Sequence, residues 1–179
     1  LIGRLQPEVN GAIVIDGTAE LDREVSQRIR DAAQRFNGRL KIEFWENLTI
    51  DQLLEAVKLL PPKTAILFGR MFRDGAGQPL ISAEVARALG QEANAPVYIM
   101  TDTALGTGAV GGSLASVDSF GQRAGELARL VLSGTDIKSV PFEIRTDSSP
   151  IFDWRALNRW GIPESRLAPN RVIRFRPSS

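Results

Sequence analysis

The feature that most constrains this chain is an alternation. Short apolar runs over residues 12–16, 64–69 and 96–101, with an alternating run over 40–45, are separated by stretches whose apolar residues recur at helical spacing. Strands of a parallel sheet are covered on both faces, so they show as continuous apolar runs. Each parallel neighbour also needs a crossover long enough to be a helix. The alternation therefore predicts an α/β fold: a parallel sheet with helices on both faces.

The crossovers carry their own signals. Leu21, Val25, Ile29, Ala32, Ala33 and Phe36 form one apolar stripe, with a helix stop expected at Asn37-Gly38. Thr49 is placed to cap a helix over 50–60, with Asp51 in its first turn and Pro61-Pro62 ending it. Ser82 is placed to cap a helix running to Glu92. A strand over 110–115 and a long helix over 118–132 follow. Residues 1–7 have the composition of the last turns of a helix closed by Pro7. Beyond Gly134 the elements shorten between prolines, with Asp153 expected to cap a brief helix, WRALNRW, closed by Gly161. The chain divides on this basis into an α/β lobe over 1–134, including a returning helix, and a C-terminal extension over 135–179 that packs on it.

The 179 residues contain no histidine and no cysteine. Missing imidazole removes the commonest general base, the commonest transition-metal ligand and the serine–histidine pair. Missing thiols remove disulfides, thiolate metal sites and cysteine nucleophiles. No catalytic residues, metal or cofactor are expected. A net charge of +1 argues against nucleic acid as a partner. The arginines near the C-terminus alternate with apolar residues, as a solvated face does. No apolar run is long enough to cross a bilayer. The chain opens on Leu1 without a signal peptide, so it is expected to be a piece of a longer protein whose membrane segments lie outside it.

Ligands of parallel α/β sheets sit beyond the carboxyl ends of the strands. Here those ends carry Asp16-Gly17-Thr18, residues 69–74 and Asp102-Thr103. An arginine fork from Arg70 or Arg73 suits a carboxylate, and Asp74 suits an amine. The same residues are equally what any α/β protein places at a corner, and RDGAG over 73–77 has the composition of a tight turn. GTGAVG over 106–111 matches G-x-G-x-x-G, but it follows the fourth strand and opens into an apolar run. It is expected to be a crossover whose glycines allow a change of direction, not a dinucleotide fingerprint. A phosphoacceptor receiver is excluded because Asp16 stands alone and no lysine lies near Thr101. Trp45, Trp154 and Trp160 are expected to pack structurally.

PVYIMTDTALGTGAVGGSLASVDSFGQRAGELARLVLSG resembles the late segment of bacterial periplasmic substrate-binding proteins of type I fold, in particular the ABC-type group that handles tryptophan or tyrosine. IFDWRALNRWGIPESRLAPNRVIRFRPSS, with FRDGAGQPL and IVIDGTAELDREV, is more similar to a subset serving as extracytoplasmic sensors of membrane-bound histidine kinases. The resemblance implies a flavodoxin-like lobe, mainly the second of two, with the 118–132 helix belonging to the first. It implies a non-enzymatic ligand-sensing role on the periplasmic face of the inner membrane. Asp16, Gly17, Thr18, Arg70, Arg73, Asp74, Asp102 and Thr103 would face a cleft holding a small solute, an amino acid or aromatic acid. The alternatives are a substrate-binding component of an ABC transporter and, disfavoured by the missing nucleophile motif, a flavodoxin-like enzyme. The 118–132 helix would cover its own sheet or a partner chain, making a homodimer.

Overall fold

One sheet organises the chain, which the computed structural model describes over residues 1–35, 40–139 and 148–178. Its strands are β1 (Gly11–Ile15), β2 (Lys41–Trp45), β3 (Thr64–Phe68), β4 (Val97–Ile99), β5 (Gly111–Ala115), β6 (Ser148–Asp153) and β7 (Val172–Arg174). They lie in the order β2-β1-β3-β4-β5-β6-β7. The first five are parallel, the first four of them as the alternation predicts. The sheet then turns mixed: β6 runs antiparallel to β5, and β7 parallel to β6.

The helices are α1 (Ile2–Leu5), α2 (Glu20–Gln34), α3 (Ile50–Lys58), α4 (Ser82–Glu92), α5 (Val117–Leu132) and α6 (Trp154–Arg159). Alternate strand residues point to opposite faces, and the core divides accordingly. Ile13, Ile15, Ile66, Phe68 and Val97 pack against Leu53 and Val57 of α3 and Val85 and Leu89 of α4. On the other face Ala65, Tyr98 and Phe152 meet Leu5 of α1 and Ala156 and Leu157 of α6. Each such aliphatic side chain contributes about 1.5–3 kcal/mol on burial. The buried Tyr98 hydroxyl donates to Gln6 Oε1 at 2.8 Å, so this face carries its phenol without an unmet hydrogen bond. Between α1, α2 and the sheet lies an apolar cavity of about 400 Å³, with Ile2, Val14, Ile29, Ala33, Leu67 and Tyr98 in its wall.

Helix caps follow the sequence at Thr49 and Asp153 and depart from it at Ser82. Thr49 Oγ1 accepts from the Gln52 amide at 3.2 Å while Gln52 Oε1 accepts from the Thr49 amide at 3.0 Å, a closed capping box. Ser116 caps α5 and Asp153 caps α6 through the Arg155 amide at 2.9 Å. Gly161 follows α6 with φ +61. Ser82, however, is the first helical residue of α4, and Ile81 stands at the cap position. The Ser82 hydroxyl instead accepts from the Met71 amide at 3.1 Å, so it anchors the loop after β3 rather than its own helix. The helix stop expected at Asn37-Gly38 lies outside the described residues.

α5 differs from the other long helices because it buries none of its residues. Val117, Phe120, Val131 and Leu132 are exposed along it. Among the described residues no helix is long and apolar enough to cross a membrane.

Candidate functional site

The carboxyl edge of the parallel strands brings Glu46, Asp16, Arg70 and Asp102 out beyond β2, β1, β3 and β4. Asp16 is fully buried there. Its Oδ1 accepts from the Arg70 amide at 3.1 Å, while its Oδ2 has no partner among the described residues. The approach is so close that a Cβ on Gly69 would overlap Asp16 Oδ1. Burial pushes the Asp16 carboxyl up to about 7, against the opposing pull of the Arg70 amide; Glu46 and Asp22 add to the rise.

Two further buried carboxylates tie the loops of this edge together. Asp22 Oδ2, in the first turn of α2, accepts the amides of Ala19 (3.2 Å), Phe72 (2.9 Å) and Arg73 (3.3 Å). Asp74 accepts from Ile50 (3.1 Å), Ala76 (2.9 Å) and Gln78 (2.9 Å). Burial alone would raise the Asp74 carboxyl, but the amides of Gln78, Ile50 and Ala76 outweigh it and hold the group below its usual range. Thr18 completes the knot: its hydroxyl donates to Asp74 O at 2.7 Å and its amide to Arg73 O at 2.8 Å.

What this scaffold presents outward is cationic and aromatic. Arg70 donates to Leu21 O, lies 3.6 Å through Nε from Asp22 Oδ1, and sits 5.3 Å over the Phe72 ring. Phe72 and Arg73 are exposed. Arg73 has no carboxylate within salt-bridge reach among the described residues. The structure thus joins Asp16, Gly17 and Thr18 with Arg70, Arg73 and Asp74 in one hydrogen-bonded unit. Asp102 and Thr103 stand apart from it. Asp102 accepts from the Val117 amide at 3.3 Å, at the start of α5, and the Thr103 hydroxyl meets that of Thr101 at 3.1 Å.

Three participants escaped the sequence reading. Asp22 looks like any polar helix residue, although an acid at the third helical position after D-G-T is a capping signal. Glu46, which accepts from Ser26 and pairs with Arg30 at 2.6 Å, flanks Asp16 through a strand pairing the sequence does not spell out. Phe72 gives no signal at all. GTGAVG is a crossover between β4 and β5, with Gly106, Gly108 and Gly111 at φ +85, +103 and +117. Among the described residues no group of acids converges to hold a metal ion.

No protein-family model matches the chain, and no curated protein matches it. Solved structures do. A ligand-free, open substrate-binding protein with adhesive properties from Clostridium difficile aligns at 18% identity and TM-score 0.66, over 97% of this chain and 57% of that one. The fold is that of a substrate-binding-protein-like α/β lobe. A conserved domain protein from Vibrio cholerae aligns at 17% identity and TM-score 0.65, over 96% and 57% of the two chains. An ABC domain in complex with L-Trp from a Streptococcus species aligns at 17% and 0.65, over 96% and 59%. The lobe therefore spans a little over half the length of each neighbour.

Proposed function

We propose that this chain is a non-catalytic lobe that binds a small carboxylate-bearing solute, an amino acid or aromatic acid, at the carboxyl edge of its sheet. One observation carries the reading. Phe72 and Arg73 project from a loop that Asp16, Asp22 and Asp74 hold by its backbone amides, with the half-buried Arg70 tied beside them to Leu21 O and Asp22. Buried carboxylates fix the loop, so the guanidinium groups meet a ligand already positioned, and Phe72 offers a ring to an apolar side chain. Thr18, Asp102 and Thr103 belong to the same edge. The lobe supplies one wall of a cleft whose other wall would come from the part its neighbours have and this chain does not.

In the parent protein we place the lobe on the periplasmic face of a bacterial inner membrane, as the sensor of a histidine kinase. Its support is the resemblance of the segment from Ile151 to the end of the chain. Cleft closure would bias the kinase only if the solute binds the closed form better than the open one. The Streptococcus neighbour, an ABC domain in complex with L-Trp, favours a second reading: delivery of solute to an ABC permease. The coding sequence beyond Ser179 separates them, because a membrane helix and kinase domains favour sensing and a stop codon favours transport.

Thermal shift of the chain extended to two lobes, screened against amino acids and aromatic acids, tests the site. A ligand at a hundred times its Kd should stabilise the protein by about 2.7 kcal/mol, and Arg73→Ala should remove most of that shift. No shift with any compound, or an unchanged shift in the variant, would overturn the assignment.

A further inference from the structure

The GTGAVG crossover has no role at the carboxyl edge, yet it lines a cavity of its own. It carries the chain from the end of β4 back to the start of β5, which delivers residues 106–108 to the amino edge of the sheet. A cavity of about 300 Å³ opens there, walled by residues 106–108, Arg87 of α4, and Asp153, Arg155 and Arg159 around α6.

Three arginines against one aspartate leave this wall with two uncompensated positive charges. Arg155 is matched to Asp153 through two bonds, at 3.0 and 2.7 Å. Among the described residues neither Arg87 nor Arg159 has a carboxylate within 4 Å. The guanidinium groups of α6 are also held in place. Arg155 stacks 4.4 Å over Phe175; Arg159 donates to Gly90 O at 2.7 Å and stacks 5.0 Å over Trp160. Each keeps donors in reserve, since a guanidinium has five N–H groups. The amides of Gly106, Thr107 and Gly108 donate to no acceptor among the described residues. With Gly106 and Gly108 at positive φ, successive amides can converge on an anion.

We propose that this cavity is a second binding site, for a compact oxyanion of the phosphate class, at the opposite edge of the sheet from the solute site. A planar carboxylate is satisfied by one arginine fork. Here donors come from three directions, α4, α6 and the loop, which suits a tetrahedral oxyanion. The volume lies at the lower end of ligand-sized cavities, so the site takes inorganic phosphate or a small monoester rather than a nucleotide.

Titration of the full chain with inorganic phosphate, followed by amide NMR, tests this. Saturable shifts are expected at residues 106–108, with the amides of residues 70–78 unmoved. Acetate at the same ionic strength should give weaker shifts. Arg87→Ala and Arg159→Lys should each weaken phosphate binding by about tenfold, the worth of a hydrogen bond between charged groups. Unchanged β1 and β3 resonances would show that both variants keep the fold. The absence of saturable shifts, or equal affinity in both variants, would overturn the site. Acetate binding as well as phosphate would overturn the assignment of its ligand class.

Discussion

Asp22 accepts the backbone amide of Phe72 at 2.9 Å, joining the first turn of α2 to the loop after β3 across 50 residues of sequence. The same oxygen takes the amides of Ala19 and Arg73. Removing it leaves three donors unmet in a partly buried place, and such groups cost more to strand than they contribute when paired.

Asp22→Ala should therefore lower stability by about 3 kcal/mol, read from urea denaturation midpoints, and loosen the loop that carries Arg70 and Arg73. Asp22→Asn, which keeps an acceptor, should recover part of the loss. Arg73→Ala should cost under about 0.5 kcal/mol, because the side chain is exposed. Equal losses in Asp22→Ala and Arg73→Ala would show that the carboxylate is not the fastener.

Asp16 sets a pH dependence of opposite sign to the usual carboxylate. Its folded-state pKa of about 7 lies above the ordinary carboxyl value of 3.8, so the folded chain holds a proton that the unfolded chain has already released. Stability from this group is complete below about pH 4 and falls as pH rises through about 7, by up to roughly 4 kcal/mol. Asp74, held low, acts in the other direction and loses its contribution only in acid. Asp16→Asn should flatten the decline between about pH 4.5 and about pH 7.5, and stabilise the protein at the upper end. A wild-type midpoint that rises over that interval would contradict it.

Gly69→Ala places a Cβ against Asp16 Oδ1, with Asp16 itself hemmed in by Arg70, Ser26 and Glu46. The overlap cannot be relieved without moving buried backbone or breaking the hydrogen bond that the Arg70 amide donates to Asp16. A loss of about 1–3 kcal/mol is expected from overpacking, measured by thermal unfolding. Little or no loss would show that Asp16 can swing clear.

Substitutions on α5 should be nearly silent. Phe120→Ser and Val131→Ser remove exposed side chains and should change stability by under about 0.5 kcal/mol. Leu89→Ala, in the fully buried core beneath α4, should cost about 2–5 kcal/mol. If the α5 changes proved as costly as Leu89→Ala, the helix would have to pack on something apolar in solution.

The sequence makes β1, β3 and β4 readable because each is an apolar run such as AILF or VYI, buried on both faces and followed by a crossover, while the edge strand β2 shows only as the alternation KIEFW. It conceals the antiparallel return of β6, whose SSPIFD mixes turn formers with two apolar residues and has no crossover to mark it. The edge positions of Asp16, Arg70 and Asp74 follow from strand ends alone. Their division of labour does not. Whether an aspartate points into backbone amides or out to solvent depends on partners 50 or more residues away, as with Asp16 and Arg70. Asp102 shares the strand-end position of Asp16, yet its hydrogen bond reaches α5 instead.

Ala115 and Ser148 face each other as the last pair of the β5–β6 ladder. The chain therefore departs at 116 and comes back after 147 through a single gate, and β5 and β6 are the arms of a hairpin with a very long turn. Each doubling of a loop costs about 0.6 kcal/mol in closure entropy, so this excursion costs about 2.5 kcal/mol more than a two-residue turn. α5 returns none of that to the lobe through burial.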